Sequence, residues 1–142
     1  MLVKKPTSVT DFNFHLVLVT KYRKEIFTTR EKHDNMIAIL KKIAENKDVS
    51  ISHIEVIPDH VHLMISFPPK LAPSDVVKSL KGTSAREWFK QFPDTKKLLW
   101  GGHLWTGSFF MSTVGNFSKE IVAEYIENQM QKNIKKKTAK AV

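Results

Sequence analysis

Hydrophobic and polar residues alternate along residues 9–22, which are also rich in β-branched and aromatic side chains. Because successive side chains of a strand point to opposite faces, this pattern predicts a long, central β-strand. From about residue 29 to 47 the hydrophobic residues recur every three or four positions instead, which predicts a helix. Thr28 followed by Glu31 fits a capping box at the start of that helix.

The remaining pattern predicts a hairpin, a second helix, a last strand and a third helix. Two strand patterns, 49–57 and 60–67, are joined by a short connection and should therefore pair antiparallel. A helix follows over about 74–92, with Ser74 as a plausible N-cap. Residues 98–107, dense in aromatic residues and glycine, predict a structured connection or a short edge strand. Residues 109–114 predict a strand, and residues 119–131 a helix.

This order of elements predicts an α+β fold. A βαββαβ core forms an antiparallel sheet with two helices on one face, the ferredoxin-like (RRM-like) arrangement, and leaves the other face free for function. The third helix is additional to that core. We expect residues 1–131 to form a single domain and residues 132–142 to be a basic, flexible tail.

The composition restricts the class of protein. Hydrophobic residues make up 42% of the 142 residues and charged residues 26%, which is ordinary for a soluble domain. No stretch approaches the roughly 18 apolar residues that span a bilayer. The absence of cysteine excludes disulfides and thiolate metal sites and fits a reducing compartment. The sequence therefore predicts a cytoplasmic protein with no membrane association.

The positive charge indicates a polyanionic partner. The formal net charge is +9 and the pI about 9.8. Five lysines lie in residues 131–142, so residues 1–130, with 18 basic and 14 acidic residues, carry only +4. On the second helix Lys78, Gly82 and Arg86 are spaced four residues apart, with Lys81 beside them. This basic stripe could bind nucleic acid or could be an ordinary solvated helix face. Tryptophans in residues 98–107 could stack on unpaired bases or pack in the core.

Two histidines share one face of the predicted hairpin strand. In the stretch Pro58-Asp59-His60-Val61-His62, His60 and His62 lie opposite the apolar face. They could chelate a metal, since neutral imidazole is a common ligand, or be ordinary surface histidines. His53 and Glu55, on the strand predicted to pair with this one, could support the two histidines. His15 and His103 are expected at the surface.

Tyr125 and Gln129 lie one turn apart on the predicted third helix, a spacing that is common in any amphipathic helix. Taken together, however, His60-Val61-His62 and Tyr125-Ile126-Glu127-Asn128-Gln129 resemble the two motifs of the single-tyrosine HUH transposases. These are the compact transposases of the smallest bacterial and archaeal insertion sequences. The resemblance runs from about residue 12 to 129 and includes Trp100-Gly101-Gly102-His103.

The resemblance implies a homodimeric enzyme that cleaves and rejoins single-stranded DNA beside imperfect hairpins, through a 5′-phosphotyrosine intermediate. Tyr125 would be the nucleophile, and His60, His62 and Gln129 would hold Mg²⁺ or Mn²⁺. The tyrosine helices are usually swapped between subunits in this family. Ligand type alone favours Mn²⁺ or Zn²⁺, because Mg²⁺ prefers oxygen. The basic residues expected to contact DNA are Lys21, Arg23, Lys78, Lys81 and Arg86.

Two alternatives keep the fold but change the activity. One is a non-catalytic module that binds hairpin DNA or RNA. The other is a metal-dependent phosphohydrolase in which water, rather than Tyr125, attacks the phosphate.

Overall fold

The computed structural model describes residues 12–113, which contain the predicted βαββαβ core except residues 9–11 of its first strand and residue 114 of its last. The helices and strands are β1 (Phe12–Val19), α1 (Arg30–Asn46), β2 (Ser50–Ile57), β3 (His60–Phe67), α2 (Pro73–Gln91) and β4 (Phe110–Thr113). Short 3₁₀ turns cover Lys21–Arg23, Pro93–Leu98 and Trp100–Gly102. The predicted third helix and the basic tail lie outside the described residues.

The sheet has the strand order β2-β3-β1-β4, and each neighbouring pair is antiparallel. This order confirms the ferredoxin-like prediction. It also makes β3, which carries the two histidines, an inner strand with β1 on one side and β2 on the other.

Both helices pack on one face of the sheet. The core joins alternate residues of β1 and β3, such as Leu16 and Leu63, to the apolar sides of α1 and α2, such as Leu40 and Leu80. The apolar residues that alternate along the strands and those that recur every three or four positions along the helices therefore pack together in a single core layer. Within residues 12–113, neither helix has the length and apolarity to cross a membrane.

The starts of both helices differ from the prediction. The N-cap of α1 is Thr29, whose hydroxyl accepts a hydrogen bond from the backbone N–H of Lys32. Because the third residue after this cap is a lysine, no capping box forms. The N-cap of α2 is Ala72 rather than Ser74, with Pro73 in the first turn. Proline suits that position because its φ is already helical and its missing N–H would have no partner there.

The connection from α2 to β4 is anchored by two buried indoles. Trp88 donates to the Thr95 hydroxyl and Trp105 to the Ser84 hydroxyl, each at 2.9 Å. Trp105 also lies beside Thr20 in an isolated β-bridge. The prediction of a structured connection is therefore confirmed. Trp100, in contrast, is 84% exposed.

Candidate active site

The histidine pair lies in the middle of the sheet. The residue opposite His60 is Val19 on β1 and Ile57 on β2, while His62 lies opposite Val17 and Glu55. The two imidazole centroids are 5.2 Å apart. Since a metal–imidazole bond is about 2.0–2.1 Å, rings at this separation are compatible with one shared ion.

The sheet face that carries these histidines was expected to be open, and at this point it is not. His60 is 4% exposed and His62 is fully buried. The inner position of β3 places side chains of β1 and β2 on both sides of the pair. The reading of the pair as surface histidines is therefore wrong.

Each imidazole has one nitrogen engaged and one that has no hydrogen-bond partner in the described part of the chain. Nδ1 of His60 is 2.5 Å from a carboxylate oxygen of Asp59, and Nδ1 of His62 is 3.4 Å from Nε2 of His15. Neither Nε2 of the pair has a hydrogen-bond partner among residues 12–113, although both atoms are buried. Leaving a buried polar atom unsatisfied costs about 1–3 kcal/mol, so a matched pair of such atoms fits a site that binds a ligand through both nitrogens.

Burial keeps both imidazoles neutral. Desolvation lowers the pKa of His62 to about 3, with a further contribution from the neighbouring histidines. Desolvation also lowers the pKa of His60, and this effect outweighs the opposing influence of Asp59. A neutral imidazole offers the lone pair that metal ligation requires. The chemistry of the two side chains therefore fits a divalent cation.

Asp59 is itself held by Arg23. One carboxylate oxygen faces His60, and the other accepts from Nε of Arg23 at 3.2 Å and lies 3.2 Å from a terminal guanidinium nitrogen. Tyr22 and Arg23, in the turn that carries this guanidinium, both have positive φ, of 59° and 54°. Such conformations cost roughly 1–3 kcal/mol each and tend to occur at functional sites.

The loop that carries Arg23 is joined to the β2–β3 turn through the backbone. The N–H of Thr20 donates to the carbonyl of Asp59 at 3.0 Å, and the Thr20 hydroxyl lies 2.7 Å from the carbonyl of Lys24 and 3.1 Å from that of Asp59. The N–H groups of Ile26 and Phe27 donate to the carbonyl of Pro58. The position of Asp59 is consequently fixed from both its main chain and its side chain.

His15 is not at the surface, contrary to expectation. It is 3% exposed and lies beside His62, with the two ring planes within 10° of parallel. Strand alternation alone places His15 on the histidine face. Its proximity to His62 depends on the register of β1 against β3, in which Val17 faces His62. That register cannot be predicted from a single sequence. The expected exposure of His103 is confirmed.

The predicted metal ligands are only partly within the described residues. Within residues 12–113 there is no group of three histidine, cysteine, aspartate or glutamate side chains that could hold a metal. Glu55 and His53 are half-buried on β2 and influence the histidines electrostatically. Gln129 and Tyr125 lie outside the described residues, so their proximity to the pair stays a prediction.

The predicted DNA-contacting residues differ in their exposure and in the contacts that they already make. Lys78 and Arg86 are exposed on α2. Lys81 donates to the Thr106 carbonyl at 2.7 Å, and burial lowers its pKa. Lys21 lies 5.5 Å from the ring centre of Tyr22, and Arg23 is paired with Asp59. DNA contact by these residues stays a prediction.

A separate groove lies between α1 and α2, with a volume of about 420 Å³. Its lining includes Asn35, Lys42 and Glu87 but none of the predicted site residues. The groove is therefore separate from the histidine site.

Comparisons of sequence identify relatives over nearly the whole chain. The profile of the family described as "Transposase IS200 like" matches residues 8–129, a range that includes the histidine pair, Tyr125 and Gln129. The ISDra2 transposase TnpA of Deinococcus radiodurans is 40% identical over 124 residues, which are 87% of this chain and 88% of that protein. The transposase for insertion sequence element IS200 of Salmonella typhimurium is 32% identical over 120 residues, covering 84% of this chain and 78% of the relative.

Solved structures share the fold. A crystal structure of a transposase from Deinococcus radiodurans R1 matches with a TM-score of 0.71 at 38% identity, covering 90% of this chain and 98% of that one. A REP-associated tyrosine transposase bound to a REP hairpin matches with a TM-score of 0.53 at 15% identity, covering 82% of this chain and 62% of that one. The second likeness concerns the fold alone.

Proposed function

The chain belongs to the IS200-like transposase family, and we propose that it cuts and rejoins single-stranded DNA beside hairpins at the ends of its element. Membership makes it a transposase and hence a DNA-cleaving enzyme. The proposal adds the kind of DNA, the covalent intermediate and the residues responsible. The observation that carries it is the pair of buried, neutral histidines whose Nε2 atoms both lack a partner among the described residues.

His60 and His62 would hold a divalent cation through Nε2, with Gln129 as a third ligand by the family resemblance. When bound, such a cation acts as a Lewis acid on the phosphate oxygens and neutralises their developing charge. Mn²⁺ suits imidazole better than Mg²⁺ does, which makes Mn²⁺ the better probe of this site.

Tyr125 would act as the nucleophile. Its phenolic oxygen forms a bond to the scissile phosphorus while the bond from phosphorus to the 3′ oxygen breaks. The phenol loses its proton, and the departing 3′ oxygen gains one to become a free hydroxyl. One phosphodiester is exchanged for another, so the step is reversible and consumes no nucleotide cofactor. Since tyrosine has an ordinary pKa near 10, deprotonation in the transition state is the demanding part.

The DNA-binding surface and the assembly are part of the same proposal. The net charge of +9 supports attraction to phosphate. Lys78 and Arg86 are free to contact DNA from an exposed face of α2. Lys21 and Arg23, in the turn after β1, and Lys81, on α2, would add positive charge to this surface. By the resemblance, two chains form a homodimer in which the tyrosine helices are exchanged.

A covalent adduct tests the nucleophile directly. Labelled hairpin-bearing single-stranded DNA is incubated with the protein and Mn²⁺ and run on a denaturing gel, where an adduct migrates with the protein. The chain has two tyrosines, so Tyr22→Phe is the matched control for Tyr125→Phe. The adduct should persist in Tyr22→Phe and disappear in Tyr125→Phe.

The alternatives give different results in the same assay. A non-catalytic hairpin-binding module would shift the DNA in a native gel but form no adduct with any element-end substrate. A phosphohydrolase would cleave DNA without an adduct, and its cleavage would survive Tyr125→Phe. Either pattern contradicts the proposal.

The histidines and the tyrosine can be tested as separate parts. His62→Ala should abolish metal-dependent cleavage while hairpin binding remains. Dimers that mix His62→Ala with Tyr125→Phe chains should regain one working site if the helices are exchanged, because one histidine site and one tyrosine then meet. No recovery would count against a site shared between subunits.

A further inference from the structure

His15 and His62 approach each other through one ring nitrogen of each imidazole. Their centroids are 5.5 Å apart and the nearest nitrogens, Nε2 of His15 and Nδ1 of His62, are 3.4 Å apart. The ring planes lie within 10° of parallel. Because only one proton can lie between these two nitrogens, one imidazole donates its N–H to the nitrogen lone pair of the other in a long hydrogen bond.

Only one direction of this hydrogen bond leaves His62 able to ligate a cation. A neutral imidazole carries one proton, on either Nδ1 or Nε2. If His62 donates from Nδ1, its buried Nε2 has a lone pair. If His15 donates instead, the proton of His62 must lie on Nε2, which blocks ligation. Ligation by His62 therefore requires His15 to accept through Nε2.

His60 shows the same arrangement with a different acceptor. Its Nδ1 faces the carboxylate of Asp59, which can only accept, and its Nε2 is likewise buried without a partner among residues 12–113. In both His60 and His62, therefore, Nδ1 contacts a neighbouring side chain and Nε2 is left for the cation. Hydrogen-bonding partners of this kind commonly fix the tautomer and orientation of histidine ligands.

We infer that His15 is a positioning residue that holds His62 as the Nδ1–H tautomer, with the Nε2 lone pair directed to the cation site. This inference rests on the proposed function, because it concerns the metal site. A neutral acceptor at this point orients the ring without adding negative charge close to a phosphate. At Asp59, by contrast, the negative charge is balanced by Arg23.

Two substitutions separate orientation from packing. His15→Phe keeps a flat ring in the buried space but cannot accept the hydrogen bond. His15→Gln offers an amide oxygen near the position of Nε2 and can accept it. His33→Phe is the control for losing a histidine elsewhere, since His33 lies on α1 beside Asp34. Thermal unfolding of each variant reports whether the fold is intact.

Mn²⁺ affinity of the full chain, measured by electron paramagnetic resonance, is the first readout. His15→Phe should weaken Mn²⁺ binding roughly 10- to 100-fold, the usual effect of losing such a partner. His15→Gln and His33→Phe should bind close to the unmodified protein. Binding by His15→Phe as tight as that of the unmodified protein overturns the inference.

The tautomer of His62 is the second readout, and it needs no metal. Nitrogen-15 chemical shifts of the imidazole in the metal-free, unmodified protein should show the proton on Nδ1. A proton on Nε2 overturns the inference even if the variants fail to fold. If the unmodified protein binds no Mn²⁺, the proposed metal site fails, while the tautomer measurement still decides the role of His15.

Discussion

Replacing Asp59 by asparagine should disable the metal site at a modest cost in stability. The carboxylate faces two partners at once, Nδ1 of His60 at 2.5 Å and the Arg23 guanidinium at 3.2 Å. An amide has the same shape but offers one acceptor where the carboxylate offers two. It can therefore accept from His60 or from Arg23, but not from both.

The choice between these partners follows from their chemistry. A guanidinium can only donate, whereas an imidazole can move its proton to the other nitrogen. We expect the amide oxygen of Asp59→Asn to turn toward Arg23 and its NH₂ to donate to Nδ1 of His60. That hydrogen bond places the proton of His60 on Nε2, the atom proposed to ligate the cation. The substitution thus reverses the tautomer rather than merely weakening a contact.

The magnitude can be worked from the contacts. A hydrogen bond to a charged group contributes about 1.5–3 kcal/mol. The side chains of Arg23 and Asp59 are 25% and 20% exposed, which screens their interaction. We therefore expect Asp59→Asn to lower the free energy of unfolding by about 1–2 kcal/mol. Reversing the tautomer of His60 should weaken Mn²⁺ binding by roughly 10- to 100-fold, or about 1.4–2.7 kcal/mol.

Mn²⁺ titration followed by electron paramagnetic resonance, with chemical unfolding alongside, measures both effects. Asp34→Asn is a matched control, because Asp34 also contacts an adjacent histidine and an arginine but lies exposed on α1. The double variant Asp59→Asn/Arg23→Met frees the amide to accept from His60 and should recover part of the affinity. Mn²⁺ binding by Asp59→Asn equal to that of the unmodified protein would refute the tautomer argument.

Three further predictions concern pH, a helix glycine and an exposed indole. Burial lowers the pKa of His15 from 6.5 to about 4. The unfolded chain therefore takes up the His15 proton first, and this residue alone should lower metal-free stability by up to roughly 1.4 kcal/mol per pH unit as pH drops from 6.5 toward 4, in addition to the losses from the buried His60 and His62. His15→Gln should make the slope less steep in urea titrations at several pH values, and an unchanged slope would contradict the assignment. Gly82→Ala should raise the free energy of unfolding by about 0.4–1 kcal/mol, since a Cβ there meets nothing within 4 Å. A loss of stability in thermal melts would refute it. Trp100→Ala should weaken binding of unpaired DNA by about 1–3 kcal/mol if the indole stacks on a base, and fluorescence anisotropy with an unchanged Kd would exclude that role.

The alternation of residues along a strand was enough to predict which side chains share a face. His60 and His62 lie on one face of β3, and Leu63 belongs to the core on the other, as expected. The order of helices and strands was likewise sufficient for the sheet topology, because a βαββαβ chain with a short hairpin has few ways to form an antiparallel sheet. These features depend on local pattern and connectivity.

Features that depend on register or on unusual backbone conformations were not predictable in this way. His15 meets His62 because of how β1 aligns with β3, and strand alternation leaves that alignment open. Arg23 meets Asp59 from a turn in which Tyr22 and Arg23 both adopt positive φ, a conformation that the propensity of neither residue favours. The sequence therefore indicated Arg23 only as a DNA contact, which stays a prediction, and did not indicate its pairing with Asp59.

The most direct test of the account is to identify the chemical bond between protein and DNA. After incubation of the unmodified protein with hairpin-bearing single-stranded DNA and Mn²⁺, the adduct is digested with protease and nuclease and examined by mass spectrometry. We expect a nucleotide joined through its 5′ phosphate to Tyr125, together with DNA that ends in a free 3′ hydroxyl. A phosphate joined to another residue, or cleaved DNA with both phosphate and hydroxyl ends free of protein, would contradict it.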